Sequence, residues 1–343
     1  MALFLLLHYR SRCGMIYRDI GGNMKTWTIV EPEKLVMDES TLKFTEGTVK
    51  VKITRTAVSR TDVAIYLGKD VAKLPIIPCR IAAGLVSESE ANSKHHKGER
   101  VLLSPYIGNK AHGVDCNGFL RDYTIVPEEH LITIPQGISD DEVVFVDYVA
   151  LATSCLAELK LKEHEYIAVI GTGIFSLVMA QLAAYHRAIP IIIGNSDKGL
   201  ETARDMGISY CINSEKQDVQ ERVAEITCGK MADCTVFECV AGINPQFALS
   251  LTGVNGRVCI TGFSAYMNKL SVDIRTVLSK KIRVVGVNDG RDTFWAALNL
   301  IANKAVTVKG LANAKESFDQ AAEVFAKMAS DPDEMHDILL VVE

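Results

Sequence analysis

Apolar and polar positions along this chain follow two different patterns. Between Met24 and about Val126 the period is two: Thr48-Val-Lys-Val-Lys-Ile-Thr54 sends every second side chain to one face, as a half-buried strand requires. Lys25-Thr-Trp-Thr-Ile-Val30, Gly84-Leu-Val-Ser-Glu88, Gly98-Glu-Arg-Val-Leu-Leu103 and Phe119-Leu-Arg-Asp-Tyr-Thr-Ile-Val126 read as further extended segments. Pro105 to Gly118 reads as a turn-rich loop, so this part is β-rich and barrel-like. Asp140 to Leu161 reads as two helical stretches. Beyond them strands are predicted at 166–170, 189–193, 209–212, 234–238, 257–261 and 282–287. Helices are predicted between them, at 176–186, 197–206, 216–227, 244–251 and 271–279. Such alternation specifies an α/β doubly wound parallel sheet. The tail reads as helix over 292–301 and 314–330, then as a last strand, Asp337-Ile-Leu-Leu-Val-Val342. That strand is expected to return to the β-rich part, because the parallel sheet is complete without it.

The seam between the two patterns carries the first candidate chemistry. Tyr166-Ile-Ala-Val-Ile runs into Gly171-Thr-Gly173-Ile174-Phe175-Ser176 and on into an apolar helix. Two glycines let backbone approach a pyrophosphate closely, and the helix would aim its first N–H groups and its dipole at that anion. Ser176, in the third position of the pattern, is small enough for close helix–strand packing. A glycine pair alone is a weak signal, but strand, turn and helix stand here in the required order. Dinucleotide binding follows, with Gly171, Gly173, Ile174 and Phe175 at the phosphates.

Composition narrows the partners. A chain of 343 residues has material for about two domains with ample core. Apolar residues at 48%, charged residues at 23% and a net charge of −5 give no reason to expect nucleic acid or an anionic membrane as partner. The nine cysteines are odd in number, hold no C-x-x-C pair and fit no common structural-zinc spacing. Reduced thiols in a cytoplasmic protein are the expectation. Ala2-Leu-Phe-Leu-Leu-Leu7 is too short to span a bilayer and lacks the flanks of a signal peptide. Residues 1–23 therefore read as an appendage to a domain that starts near Met24.

Several local motifs resemble, as a set, the medium-chain dehydrogenase/reductase superfamily, the zinc alcohol and polyol dehydrogenases. They are Ser59-Arg60-Thr61-Asp62 with Gly68 beyond, Pro75-Ile-Ile-Pro78 before Ala83-Gly84-Leu-Val, Gly98-Glu-Arg-Val, Asn117-Gly-Phe-Leu-Arg-Asp-Tyr123, and the glycine turn. The likeness covers about 24–343. It implies a GroES-like β-barrel domain at 24–147 and 288–343, and a Rossmann dinucleotide-binding domain at 148–287. It also implies a homodimer, joined through the apolar edge Lys281-Ile-Arg-Val-Val-Gly-Val287.

Departures from the family pattern concern the metal. Where the family has its first zinc-binding Cys this chain has Ser59, and Gly-His-Glu is replaced by Cys79-Arg80-Ile81. The third ligand aligns with Asp147, which cannot make a tetrahedral site alone. The four-cysteine lobe is reduced to Cys116, and the histidine of the family's proton relay is Ala64. No zinc is expected. Arg80 would instead occupy the metal's place and pair with Asp147, or else turn outward to a surface carboxylate. Thr61 matches the hydroxyl that passes a proton to the reacting oxygen, or is a hydrogen-bonding turn residue. Arg60 matches a pyrophosphate contact, or is a surface arginine. Asp62 is expected to order its loop, and Tyr66 to lie near the site or pack.

Aligning Leu200-Glu-Thr-Ala203 with the family's helix puts Gly194 where NAD-selective sites hold an acidic residue; Asn195, Ser196 and Lys198 would then favour a 2′-phosphate. NADP is thus the expected cofactor, with NAD as the alternative, and a slip of alignment would bring in Asp197. Gly262, Phe263 and Asn288 follow strands that approach the nicotinamide in relatives, and Arg291 is a weaker candidate nearby. The activity implied is zinc-free hydride transfer between NAD(P) and a small carbonyl or alcohol. A quinone or enoyl reductase and a non-catalytic cofactor-binding protein remain open alternatives.

Overall fold

Alternation at Thr48–Val58 does what its pattern demands, since Val49, Val51 and Ile53 are fully buried and the lysines between them are not. In the computed structural model, residues 18–45, 47–70, 72–238, 245–262, 271–331 and 337–342 are described. The chain opens with the hairpin β1 (Arg18–Glu31) and β2 (Lys34–Phe44), then β3 (Thr48–Val58) and helix α1 (Arg60–Tyr66). There follow β4 (Ala82–Glu88), β5 (Arg100–Leu103), the short pair β6 (Tyr106–Ile107) and β7 (Lys110–Ala111), β8 (Tyr123–Pro127) and β9 (Leu131–Thr133). Helices α2 (Asp140–Val143) and α3 (Val146–Leu159) lead to β10 (Tyr166–Ile170).

From there strands and helices alternate: α4 (Ile174–Tyr185), β11 (Ile189–Gly194), α5 (Asp197–Asp205), β12 (Tyr210–Asn213), α6 (Val219–Ile226) and β13 (Ala232–Glu238). The series continues with α7 (Pro245–Leu251), β14 (Thr252–Thr261), α8 (Ile274–Lys280) and β15 (Arg283–Val287). The chain closes with α9 (Phe294–Ala302), β16 (Ala314–Ser317), α10 (Ala321–Ser330) and β17 (Ile338–Val341).

Two main sheets result. The second is six-stranded and wholly parallel, in the order β12-β11-β10-β13-β14-β15. Its strand order reverses between β10 and β13, which opens the crevice where doubly wound sheets bind ligands. Ile167 and Val169 of β10 face one helical layer, with α3, α4 and α9, while Ala168 and Ile170 face the other, with α6 and α7. Burial on both faces explains why these strands read as unbroken apolar runs. In the first sheet, β17 pairs antiparallel with β3 and parallel with β16, so the last strand does return to the β-rich part. Helix α3 lies at the junction, its core shared with Ala57, Ala83 and Leu339 of the first sheet and with β10 of the second.

Three segments differ from the sequence expectation. Strand β1 begins at Arg18, ahead of Met24, because the unanticipated β2 is long enough to pair Arg18 with Phe44. The segment 119–122 is not strand with 123–126. Gly118 lies so close to the carbonyls of Pro78 and Cys79 that a Cβ would stand 2.4 and 2.3 Å from them. The chain turns there, and Leu120 accepts from Trp27 N–H at 3.0 Å. Ala314–Ser317 is strand rather than helix, because the Ser317–Gln320 capping box starts helical structure only after it.

Candidate active site

The glycine turn has the geometry its sequence requires. Gly171 sits at φ 121°, a conformation open to glycine, and its N–H donates to Ile193 O at 2.7 Å. Gly173 is the N-cap of α4 in extended conformation, and no side chain caps this helix. A Cβ on Gly171 would meet Ser176 Oγ at 2.8 Å, whereas one on Gly173 would meet nothing within 4 Å. The Ile174 and Phe175 side chains are buried in the core, so only their backbone is presented at the turn. Open N–H groups over a glycine cradle fit a bound pyrophosphate.

At the end of β11, Gly194 is also a packing glycine, since a Cβ there would lie 2.4 Å from Thr172 Cγ2. Gly199, which the sequence reading overlooked, closes the other side of Thr172, where a Cβ would lie 2.5 Å from Thr172 Oγ1. Ser196 Oγ caps α5 by accepting from Gly199 N at 3.3 Å, while Asn195 and Lys198 are exposed. Asp197 is turned toward the next strand, accepting from Asn213 Nδ2 at 2.7 Å and pairing with Lys216 Nζ at 2.5 Å. Lys216, then Asn213, hold its carboxyl below the usual range. Gly262 follows β14 at φ 74°, and Asn288 follows β15, exposed. Phe263 lies outside the described residues.

The loop that the resemblance aligns with the family's metal ligands is held together by its own side chains. Ser59 N-caps α1 and forms a capping box with Asp62. Asp62, buried, accepts from Ser59 N (2.8 Å), Ser59 Oγ (2.6 Å) and Cys79 N (2.7 Å). Burial pushes its carboxyl up even against those three bonds, so it orders the loop as expected. Arg80 donates through Nη2 to Asp147 Oδ2, its side chain 35% exposed against 8% for Asp147. Burial disfavours the Arg80 charge, but Asp147, with Tyr106, Tyr148 and Asp62 behind it, outweighs burial, and the guanidinium is held more firmly protonated than usual. Of the two orientations left open for Arg80, the inward one is found.

Around this pair stand groups the sequence reading missed, together with Arg291, its weaker candidate. Tyr106 places its hydroxyl 3.5 Å from Asp147 Oδ1, and its ring lies between Arg80 Cζ at 5.8 Å and Arg291 Cζ at 4.4 Å. Arg291 donates to Gly108 O and lies 3.1 Å from Asp289 Oδ2. The Tyr148 hydroxyl donates to Asp337 Oδ2 at 2.8 Å. Burial raises the carboxyl of Glu238, at the end of β13, and the charge of Arg60 lowers it. Asp337 had one readable signal, a lone acid at the mouth of an apolar strand; Tyr106 and Tyr148 had none. Thr61 is half-buried beside Asp62, and among the described residues the bonds joining Arg80, Asp147 and Tyr106 do not include it. Tyr66 is packing: its ring meets Phe325 edge-on at 5.4 Å and its hydroxyl donates to Glu33 O.

Two family models cover most of this architecture, an alcohol dehydrogenase GroES-like domain over residues 45–136 and a zinc-binding dehydrogenase domain over 175–303. The chain belongs to the medium-chain dehydrogenase/reductase superfamily. Its relatives include a zinc-type alcohol dehydrogenase-like protein of Haemophilus influenzae, 22% identical over 90% of this chain and 96% of its own. Sorbitol dehydrogenase of Halalkalibacterium halodurans is 25% identical over 77% of this chain and 83% of its own. Among solved structures, an Escherichia coli alcohol dehydrogenase in complex with NADH matches with TM-score 0.84 at 20% identity, over 94% of this chain and all (100%) of that one. A Sinorhizobium meliloti protein bound to NADP matches with TM-score 0.84, 20% identity and the same coverage of 94% and 100%.

The family's catalytic zinc does not fit the residues present. Ser59 Oγ is spent on Asp62, the His position holds a cation, and Asp147 is neutralised by that cation. Among the described residues no three His, Cys, Asp or Glu side chains converge as a metal requires, and the seven described cysteines are free thiols. No helix among these residues is long and apolar enough to cross a membrane.

Proposed function

We propose that this oxidoreductase interconverts a small alcohol and its carbonyl compound with a nicotinamide cofactor, and that it does so without catalytic zinc. The observation that carries the reading is the inward Arg80–Asp147 pair, formed by two residues that the resemblance aligns with the family's metal ligands. When bound, the cofactor supplies a hydride acceptor or donor. The turn Gly171–Gly173 and the uncapped start of α4 would hold its pyrophosphate. Arg80 is the oxyanion donor: Asp147 and the Tyr106 ring fix its guanidinium, which stabilises negative charge growing on the substrate oxygen. It replaces the Lewis-acid part of zinc's role and not the activation of water.

NADP(H) is the proposed cofactor. The strand end presents Gly194 in place of a carboxylate, and the nearest acid, Asp197, is already engaged by Asn213 and Lys216. Lys198 supplies positive charge for a 2′-phosphate. The test is a panel of alcohols, aldehydes, ketones, quinones and enones with each cofactor, beside fluorescence titration of NADPH and NADH. Turnover of the alcohol–carbonyl pairs and tighter NADPH binding are expected. Activity confined to quinones or enones would overturn the substrate class, and tighter NADH would overturn the cofactor preference.

A further inference from the structure

Four buried or half-buried carboxylates gather where α1, α3, β13 and β17 meet: Asp62, Asp147, Glu238 and Asp337. Three have settled partners. Asp62 accepts three hydrogen bonds, Asp147 is ion-paired with Arg80, and Glu238 is near the charge of Arg60. Asp337 differs. Pairing of Ile338 with Val58 brings it beside the start of α1, and the side-chain donor it meets among the described residues is a neutral phenol, Tyr148. Tyr148 adjoins Asp147 on α3 and faces Arg80 and Glu238 as well.

We propose that Tyr148 and Asp337 form the proton relay of this site, an inference that rests on the oxidoreductase reading above. In the oxidising direction the substrate O–H bond breaks as its proton bonds to Tyr148 Oη. The Tyr148 proton crosses the existing 2.8 Å hydrogen bond to Asp337 Oδ2. The electron pair left on oxygen closes the C=O bond while the carbon gives its hydride to the oxidised nicotinamide. Reduction runs the same transfers backwards, with Asp337 supplying the proton. Tyr148 is the catalytic member and touches substrate; Asp337 acts through it.

The electrostatics favour this division of labour. Burial pushes the Tyr148 phenol well up and the Asp337 charge adds to it, so Tyr148 passes a proton without resting as a phenolate. Burial pushes Asp337 up to about 7; the Tyr148 bond opposes this, Asp62 of α1 adds to it, and Arg60 and Arg80 lower it. Cys79 faces the same carboxylate and is itself held as a thiol by burial and by Asp62. A group balanced near neutral pH both takes and returns protons efficiently.

Two readouts on the full-length chain test the relay. Infrared pH-difference spectra of the ligand-free protein should show a buried carboxyl band that grows as pH falls through about 7. That band should vanish in Asp337→Asn and shift in Tyr148→Phe. In kinetics, kcat/KM for alcohol oxidation needs the Asp337 carboxylate, so it should rise with pH through the same value and lose that bend in Asp337→Asn. Tyr148→Phe should slow turnover on the order of 100-fold with the cofactor KM unchanged. Asp337→Glu should keep the bend, and with Tyr148→Phe it carries the test if Asp337→Asn does not fold. Absence of an Asp337-dependent band, or Tyr148→Phe at the wild-type rate and pH profile, overturns the relay alone. A wild-type chain inactive on the whole substrate panel overturns the oxidoreductase reading and the relay with it.

Discussion

Replacing Arg80 by methionine removes a charge and keeps most of the side chain's apolar bulk. What remains is Asp147, 8% exposed, with the Tyr106 hydroxyl 3.5 Å away as its residual neighbour. That distance is too long for a good hydrogen bond, so the carboxylate is left largely uncompensated. Breaking a fully buried ion pair costs about 3–5 kcal/mol, whereas an exposed pair is worth about 0–1 kcal/mol. With the Arg80 side chain 35% exposed, water reaches one side of this pair. A loss of about 2 kcal/mol is expected, between those limits. Adding Asp147→Asn removes the orphaned charge, so the double variant should regain most of the loss, with a coupling energy of about 1–2 kcal/mol. Urea unfolding of the four proteins in the cycle measures this. Steady-state kinetics should show Arg80→Met turning over on the order of 100-fold more slowly, with cofactor affinity little changed. A double variant no more stable than Arg80→Met would refute the electrostatic account. Normal turnover by a folded Arg80→Met would remove Arg80 from catalysis and leave Thr61 as the remaining candidate from the motifs aligned with the family's metal site.

Protein purified without chelator is expected to contain no stoichiometric zinc, and one tightly held zinc per chain by elemental analysis would overturn the proposed role of Arg80. A homodimer is expected, because β15 is the open edge of the parallel sheet and Ile274, Leu278 and Val284 around it are 64%, 69% and 48% exposed. Sedimentation at micromolar concentration should give twice the chain mass, and a monomer there would exclude that surface as a stable interface.

Local periodicity made most of the fold legible. The central parallel strands are buried on both faces, so they appear as apolar runs, and three of the helices between strands, α5, α6 and α8, carry their own caps, Ser196, Asp218 and Asp273. Arg80 and Asp147 were legible too, because the motifs that hold them are local and their positions could be compared one at a time. Groups brought in by distant pairing were not. Tyr106 meets both Arg80 and Arg291 only because segments distant in sequence come together there. Asp337 reaches Tyr148 through the register of β17 on β3, which no short-range pattern encodes. The 314–317 strand was misread for the same reason, as its partner is that terminal strand.

The loop around Arg80 shows where geometry and chemistry parted. Cys79 stands in the motif's glycine position and still adopts the left-handed conformation, at φ 68°. A non-glycine residue pays about 1–2 kcal/mol for that backbone, so something must hold it there. Cys79 N–H donates to Asp62 at 2.7 Å, and Cys79 O accepts from Phe119 N at 2.7 Å. Gly113 and Gly118 crowd the same backbone, each with no room for an unstrained Cβ. Both partners of Cys79 are thus fixed by other parts of the fold: α1 through its capping box and the 118–122 turn through β1. The turn that would aim a histidine at a metal is therefore maintained at a cost, and it aims a guanidinium at Asp147 instead.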